Sequence, residues 1–193
     1  MDDAIGSCTF PIVTGLENDE QKQNRWDTRY IKLARHIASW SKDPKARVGA
    51  VIANPDKGRI IALGFNGFPV KVEDTAERLG NGELKRKMVV HAEQNALLFA
   101  GQIAKGCVIY VVGKPVCERC AVLIIQAGIT RVVARHWHTL PSDSKWLEGS
   151  KLALSMFNEA GVKFSQSGAE DADAIEGDGL STINGVLASK QET

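Results

Sequence analysis

The sequence predicts an α/β fold in which one mixed β-sheet carries helices on both of its faces. Short apolar segments typical of buried strands alternate with longer segments of helical periodicity, and turn-forming residues separate them. After a first helix, the segments follow the order β-β-α-β-α-β-α-β. Alternation of this kind forms layered sheets with helices packed on both sides. A chain of 193 residues is long enough for one such domain with its own core.

The first predicted elements are a helix and a hairpin. From about residue 27 up to Pro44, apolar side chains recur at helical spacing in the set Tyr30, Leu33, Ala34, Ile37 and Trp40. Residues 48–53 and 59–65 are short apolar segments joined by turn formers, which predicts an antiparallel hairpin. The following polar stretch, residues 66–90, is longer than a usual connection and favours a functional loop with a short helix near residues 74–79.

Three pairs of a helix and a strand complete the predicted domain. Their bounds are helix 91–103 with strand 107–112, helix 117–127 with strand 131–134, and helix 145–160 with strand 162–164. Gly128 and Gly161 stand directly after the second and third of these helices, where a left-handed residue commonly ends a helix.

The pattern divides the chain into three parts. Residues 1–24 mix Gly, Asp, Asn and Gln without a sustained period, which predicts an irregular N-terminal extension. The predicted domain covers residues 25–165. Residues 166–193 are predicted to form a flexible acidic tail, because acidic residues stand among Gly, Ser and Ala at Glu170, Asp171, Asp173, Glu176 and Asp178.

Composition and charge restrict the classes of function. Hydrophobic residues make up 44% and charged residues 24% of the chain, as in soluble globular proteins. A formal net charge of +1 lacks the basic excess usual for binding a nucleic-acid polymer, so a small substrate is favoured. No apolar run approaches the roughly 20 residues of a membrane helix, and two Asp residues follow Met1, unlike a secretory signal. We therefore expect a cytoplasmic protein with neither a membrane nor a nucleic-acid polymer as its partner.

The spacing of two cysteines carries chemical information. Cys117 and Cys120 lie three residues apart, which places both thiols on one face of the predicted helix near its N-terminus. Backbone N–H groups and the helix dipole stabilise thiolates there, and the thiolate is the form that binds metal. The pair alone also fits a redox dithiol or one half of a structural zinc site. Cys8 and Cys107 have the pattern of ordinary terminal or buried thiols.

The segment His91-Ala-Glu93 supplies the other half of the candidate site. His91 stands where a loop enters a helix, one strand before the cysteine pair. One imidazole and two thiolates give zinc three protein ligands and leave a fourth position for water, as in catalytic sites. Glu93 could be the fourth ligand of a closed structural site, but a carboxylate bound to zinc would no longer be free to transfer protons. The pattern therefore favours a catalytic zinc site with Glu93 as the proton-transfer residue.

The combined pattern H-x-E followed by P-C-x-x-C is the established signature of zinc-dependent nucleobase deaminases. Here Val116 stands between Pro115 and the first cysteine, where the two are usually adjacent, but the ligand spacing is kept. The chain resembles the deoxycytidylate (dCMP) deaminase family of the cytidine deaminase superfamily. The resemblance covers about residues 26–164 and is carried by the segments 41–52, 64–69, 90–96 and 120–129.

This resemblance implies a three-layer α-β-α fold of the cytidine deaminase type with a mixed five-stranded sheet. It implies hydrolytic deamination of dCMP to dUMP and ammonia in pyrimidine nucleotide metabolism, with Zn²⁺ held by His91, Cys117 and Cys120. Zinc would lower the pKa of its bound water from about 15.7 toward about 7, for attack on C4 of the ring. Glu93 would take the water proton, protonate N3 and assist the departure of ammonia. Deaminases of this kind resemble one another in forming homo-oligomers.

Three further residues are candidates for substrate contacts. Asn66 matches the Asn of the family's G-Y/F-N-G segment, which approaches the sugar, and a turn Asn before Gly67 is the alternative. Trp137 is a candidate to stack on the pyrimidine, although a surface or subunit contact fits equally well. Arg47 is the first candidate for the phosphate among the loop cations Lys42, Lys45, Arg47, Lys71 and Arg78.

Lys71 marks a departure from the family's pattern. It stands two residues after Pro69, where the family often has Gly, and this replacement predicts an altered loop.

Other classes of function stay open at this point. Within the superfamily, the chain also fits a deaminase of cytidine, deoxycytidine or cytosine. A deaminase of tRNA adenosine or of single-stranded polynucleotides is disfavoured by the near-neutral charge. From a different class, a non-enzymatic, zinc-stabilised interaction module would leave the unligated Glu93 and the sugar-side motif unexplained.

Overall fold

The computed structural model describes residues 18–56 and 58–167. Its strands are β1 (Gly49–Asn54), β2 (Arg59–Phe65), β3 (Val108–Val112), β4 (Arg131–Ala134) and β5 (Lys163–Gln166). Its α-helices are α1 (Asp19–Ala38), α2 (Ala76–Gly80), α3 (Gly82–Met88), α4 (Ala92–Ala100), α5 (Glu118–Gln126) and α6 (Leu147–Glu159). Two 3₁₀ turns cover Gly101–Ala104 and Trp137–Thr139. These segments agree with the predicted elements except at α1 and in the region between β2 and α4.

The strands form one mixed sheet in the order β2-β1-β3-β4-β5. β1 runs antiparallel to β2 and to β3, whereas β3, β4 and β5 are parallel. The predicted mixed five-stranded sheet is therefore confirmed. Gly49 pairs with Phe65 on one side and with Val112 on the other. The start of β1 and the ends of β2 and β3 thus share one edge of the sheet, which we call the carboxyl edge.

Helices cover both faces of the sheet, which makes three layers. Successive side chains of a strand point to opposite faces. On β1, Ala50 and Ile52 pack in the core cluster that contains residues of α4, α5 and α6. Val51 and Ala53 pack in a second cluster with the apolar residues of α1. The chain between residues 108 and 112 is buried throughout, as expected for a central strand covered on both sides.

Glycine permits close backbone contact at two points on the carboxyl edge. A Cβ atom on Gly64 of β2 would lie 2.2 Å from the carbonyl oxygen of Ala92, at the start of α4. A Cβ atom on Gly113, just after β3, would lie 2.1 Å from the carbonyl oxygen of Arg47, and the φ of Gly113 is +102°. The first turn of α4 and the chain before β1 are therefore set directly against the strand ends.

Helix α1 begins earlier than predicted, within the segment that we expected to be irregular. Asn18 and Gln21 form a capping box, because each side chain accepts a hydrogen bond from the other's backbone N–H at 2.7 and 3.1 Å. The helix ends at Ala38, and Trp40 beyond it is 51% exposed, so its inclusion in the helical pattern was wrong. Residues 1–17, with Cys8, and the predicted tail after residue 167 lie outside the described residues.

The region between β2 and α4 contains two short helices where one was predicted. Thr75 caps α2 and Asn81 caps α3 through their side-chain oxygens. Neither helix has a buried residue, so α3 has no apolar periodicity by which the sequence could reveal it. Lys71 adopts a φ of 70°, the left-handed conformation that glycine favours. The loop therefore makes the left-handed turn that glycine would allow, whereas the lysine at this position predicted an altered loop.

Candidate active site

The candidate metal ligands meet where the N-termini of α4 and α5 converge on the carboxyl edge. His91 is the N-cap residue of α4, and Cys117 is the N-cap residue of α5. Cys120 lies in the first turn of α5 and is fully buried. Gln94 fixes the start of α4, since its Oε1 accepts a hydrogen bond from the His91 backbone N–H at 2.9 Å. The positive ends of two helix dipoles therefore point at the thiols.

The spacing of these three side chains fits zinc. His91 Nδ1 lies 3.5 Å from Cys117 Sγ and 3.3 Å from Cys120 Sγ. Bonds of about 2.0–2.1 Å to nitrogen and 2.3 Å to sulfur at tetrahedral angles predict a separation of about 3.6 Å. Within the part of the chain that the structure describes, His91, Cys117 and Cys120 are the only group of three or more candidate ligands whose ligand atoms all lie within 4.8 Å of one another. Three ligands suit a catalytic zinc site better than a closed structural one.

The two thiols have opposite pKa shifts, and that of Cys117 favours the thiolate. The pKa of Cys117 is lowered to about 4, chiefly by the hydrogen bond from the Cys120 thiol, and His91 adds to this effect. The same bond, together with burial, raises the pKa of Cys120. The hydrogen bond to Cys117 also raises the pKa of His91. A thiolate at the N-terminus of α5 provides the form of cysteine that binds zinc.

Glu93 lies beside the ligand group but is not part of it. Its side chain is on the first turn of α4 and is 3% exposed. Burial raises the pKa of its carboxyl group, and the nearby Cys120 thiol offsets part of this rise. Glu93 lines the cavity together with His91. Its carboxyl group therefore adjoins both the ligands and the space that a substrate would occupy.

A cavity of about 280 Å³ opens at this site. It is bounded by the chain before β1, by Asn66 after β2, by α3, by the start of α4, and by two loop segments. Its charged lining comprises two acidic side chains, Asp43 and Glu93, and five basic ones, Lys45, Lys85, Arg86, Lys114 and Lys145. Among the residues that the structure describes, Trp146 is the tryptophan that lines the cavity. The volume suits one small molecule near the lower end of the usual size of such sites.

Asn66 lines the cavity, as expected for a sugar contact, and it also holds the chain before β1. Its Nδ2 donates to the Ala46 carbonyl oxygen, and its Oδ1 accepts from the Val48 N–H, both at 2.8 Å. A primary amide has a second N–H and a second lone pair on its oxygen. Asn66 can therefore fulfil both the turn role and the substrate role that the sequence left open.

The structure does not place Arg47 or Trp137 among the cavity's lining residues. Arg47 Nε donates to the Asp43 carbonyl oxygen at 3.4 Å. Trp137 lines a separate small cleft, and Lys151 Nζ lies 5.3 Å from its ring centroid. The positions that sequence reasoning missed are Lys85, Arg86, Lys114, Lys145 and Trp146. Two features of the sequence could have indicated some of these positions. Lys114 directly precedes Pro115 of the cysteine motif, and Lys145 and Trp146 directly precede α6.

This fold, with one histidine and two cysteines at converging helix N-termini, defines a zinc-dependent enzyme of the deaminase class. The family model described as "Cytidine and deoxycytidylate deaminase zinc-binding region" matches residues 24–136, and the chain belongs to this family. Zn²⁺ is accordingly the cofactor of the domain, and His91, Cys117 and Cys120 are the residues that can hold it.

Known proteins resemble the chain over most of its length. An uncharacterized deaminase from the luxG 3′ region of Aliivibrio fischeri is 41% identical over 140 residues, which are 72% of this chain and 92% of that protein. Deoxycytidylate deaminase of Homo sapiens is 37% identical over 145 residues, covering 72% and 78% of the two chains. The apo crystal structure of dCMP deaminase from the cyanophage S-TIM5 covers 74% of this chain and 98% of its own, with a TM-score of 0.56 and 24% identity. This last similarity supports the fold.

Proposed function

We propose that the protein converts dCMP to dUMP and ammonia by zinc-dependent hydrolysis. The observation that carries this proposal is a cavity of about 280 Å³ whose lining combines Glu93 and the ligand residue His91 with the basic side chains of Lys45, Arg86, Lys114 and Lys145. The similarity to human deoxycytidylate deaminase supports the same substrate.

The charge of the cavity favours a nucleoside monophosphate over a free nucleoside. Asp43 is paired with Lys85. The ion pairs within the described residues include none of the remaining basic lining residues, Lys45, Arg86, Lys114 and Lys145. A phosphate bears two negative charges and several hydrogen-bond acceptors, which such cations complement. Arg47, the first candidate from the sequence, is not a lining residue, and its proposed role is to support the site through its hydrogen bond to the Asp43 carbonyl oxygen.

Glu93 is proposed as the acid–base residue of the reaction. Zinc, when bound, lowers the pKa of a water ligand from about 15.7 toward about 7 and so supplies a nucleophile near neutral pH. The Glu93 carboxylate accepts the proton of the attacking water and delivers it to N3 of the cytosine ring. The same carboxyl group then takes the remaining proton of the added hydroxyl group on C4 and passes it to the amino group. The C4–N bond breaks, the C4 carbonyl forms, and the amino group leaves as ammonia. Burial keeps this exchange away from bulk water.

The test of the proposed function is a rate comparison across dCMP, CMP, deoxycytidine, cytidine, cytosine and dCTP. Loss of absorbance or release of ammonia measures each reaction. We expect the highest kcat/KM with dCMP and a much lower value with deoxycytidine. Equal or faster use of deoxycytidine would overturn the phosphate argument, and no deamination of any of these compounds would overturn the proposed activity.

Trp146 is expected to contribute more to base binding than Trp137. Stacking of a base on an aromatic side chain is worth about 1–3 kcal/mol by alanine substitution. Trp146→Ala should therefore raise the KM for dCMP by about 5- to 150-fold. Trp137→Ala is the matched control and should change KM by much less. Steady-state kinetics of the two variants measure this difference, and a larger effect at Trp137 would restore that residue as the stacking candidate.

Two competing functions have less support in the site. A polynucleotide deaminase needs an extended basic groove, whereas the basic residues here line a cavity of about 280 Å³. A non-enzymatic zinc module leaves the buried carboxyl group of Glu93 and its position in a cavity without a role. We therefore infer a small-molecule substrate and no nucleic-acid polymer as partner.

We infer that the protein forms a homo-oligomer through the outer faces of α4 and α5. Large apolar side chains are exposed on these adjacent helices and the 3₁₀ turn after α4, at Leu98, Phe99, Ile103, Val122 and Leu123. Exposed apolar patches of this kind mark association surfaces. Phe99 is 80% exposed, and Phe99→Glu should shift the protein toward the monomer in light scattering after size exclusion. Leu152→Glu on α6 is the control, and a monomeric parent protein would contradict the inference.

We place the activity in pyrimidine nucleotide metabolism in the cytoplasm, where nucleoside monophosphates occur. Among the described residues, no helix has both the length and the apolar character of a membrane span.

A further inference from the structure

We propose that Lys85 is a positioning residue that fastens the α2–α3 segment, residues 76–88, at the border of the cavity through its ion pair with Asp43. Lys85 Nζ lies 2.8 Å from Asp43 Oδ1, and the two side chains are 12% and 6% exposed. Both residues line the cavity. The inference rests on the proposed function, since the cavity that the segment borders is the proposed substrate site.

The α2–α3 segment has little else to hold it in place. Neither helix has a buried residue, and the apolar side chains Leu79 and Met88 are only partly buried. The backbone is attached just after the segment, where Val90 and Gly67 exchange two hydrogen bonds. The ion pair before it, Lys42 with Asp74, has exposed fractions of 73% and 27%, and exposed pairs contribute little. A desolvated pair is different, because removing one partner leaves an uncompensated buried charge. The position of the segment therefore depends on Lys85 more than on its other side chains.

Asp43 connects this ion pair to the wall of the cavity. Its Oδ1 also accepts hydrogen bonds from the N–H groups of Lys45 at 2.9 Å and Ala46 at 3.0 Å. Its own N–H donates to Ser41 Oγ at 3.2 Å. One carboxylate oxygen thus fixes α3 and the turn before β1 to each other.

The same turn holds Asn66, the proposed sugar contact. The Ala46 carbonyl oxygen accepts from Asn66 Nδ2, and Ser41 Oγ donates to the Asn66 carbonyl oxygen, each at 2.8 Å. Lys85 is therefore connected to Asn66 through Asp43 and the 41–46 turn. Loss of the pair should loosen the segment and the turn together, while His91 and Glu93 stay on α4. This separation predicts weaker substrate binding with little change in the chemical step.

The test uses Lys85→Met, which keeps the length of the side chain and removes its charge. We expect the KM for dCMP to rise about tenfold or more, with kcat changed by less than about threefold. Limited proteolysis should cut within residues 70–89 about tenfold faster than in the parent protein. Lys87→Met is the matched control, because Lys87 lies on the same helix and pairs with Glu83 at exposed fractions of 71% and 74%. It should leave both measurements unchanged.

Two further variants keep the proposal testable if Lys85→Met fails to fold. Asp43→Asn keeps an oxygen acceptor for the turn and removes the charge, so it should reproduce the faster cleavage and the higher KM. Lys85→Arg keeps the charge and should restore most of both properties. Unchanged cleavage and KM in Lys85→Met and Asp43→Asn would overturn the proposal.

Deoxycytidine distinguishes positioning from direct phosphate binding. If Lys85 positions the segment and Asn66, competitive inhibition by deoxycytidine should weaken in Lys85→Met in parallel with the binding of dCMP. A loss confined to phosphorylated ligands would overturn the proposal and assign Lys85 to the phosphate instead. A parent protein that deaminates nothing would refute the proposed function, whereas the proteolysis would still test the ion pair.

Discussion

Replacing Glu93 with Gln is expected to lower kcat for dCMP by about 10²- to 10⁴-fold, the usual contribution of a general acid–base group. Gln has nearly the same shape and can stay buried on the first turn of α4, but it cannot accept and return a proton. Zinc should stay bound, because Glu93 lies outside the ligand group. Rate assays together with the zinc content by atomic absorption measure both parts of this expectation.

Glu77→Gln provides the control for this experiment, since Glu77 is an exposed carboxylate on α2. It should keep the parent rate. A Glu93→Gln enzyme with the parent rate would contradict the assigned proton transfer, and loss of zinc in that variant would show that Glu93 is a ligand.

Replacing Cys120 with Ala is expected to abolish both zinc binding and detectable activity. Two remaining ligands hold zinc much more weakly than three, and Cys120 is a fully buried member of the group. The fold should persist with a lower Tm, because most of the buried apolar side chains on both sheet faces lie outside the ligand group, whereas the stabilisation by bound metal is lost. Metal analysis, activity assays and circular dichroism melting test these expectations.

Cys107→Ser is the matched control for Cys120→Ala. Cys107 is also buried, and its thiol donates to the Ile103 carbonyl oxygen at 3.3 Å, a bond that serine can make. This variant should keep zinc and activity. Complete unfolding of Cys120→Ala, with no deamination by the parent protein, would favour the structural zinc module over the enzyme.

The sheet and the ligand group could be predicted because strong local signals specify them. The buried strands have continuous apolar runs, as in residues 108–112, and glycine follows the C-caps of α5 and α6 at Gly128 and Gly161. The ligand set follows from the spacing of His91, Cys117 and Cys120, together with the convergence of helix starts at one edge of the sheet. Glu93 was found through the same motif, and its position beside the ligands agrees with the role expected for it.

The cavity lining could not be predicted in the same way, because it depends on where surface loops lie in three dimensions. Lys85 is on a helix without an apolar stripe, and its significance comes from Asp43, which is far away in the sequence. Arg47 was favoured for its place before β1, but its guanidinium group contacts the Asp43 backbone. Trp137 and Trp146 belong to one connection, and nothing in their sequence context shows which of them borders the cavity.

The close contact between Gly64 and the first turn of α4 has a consequence for engineering this protein. It joins the start of α4, with His91 and Glu93, to main-chain atoms of the sheet. Substitutions of side chains elsewhere should therefore change the positions of these two residues little. The surfaces that would meet a base or a phosphate belong instead to loops and to the small helix α3. Libraries restricted to Arg86, Lys114 and Trp146 should therefore redirect the choice of substrate while the hydrolytic machinery stays intact, whereas a library at Gly64 should yield few folded proteins.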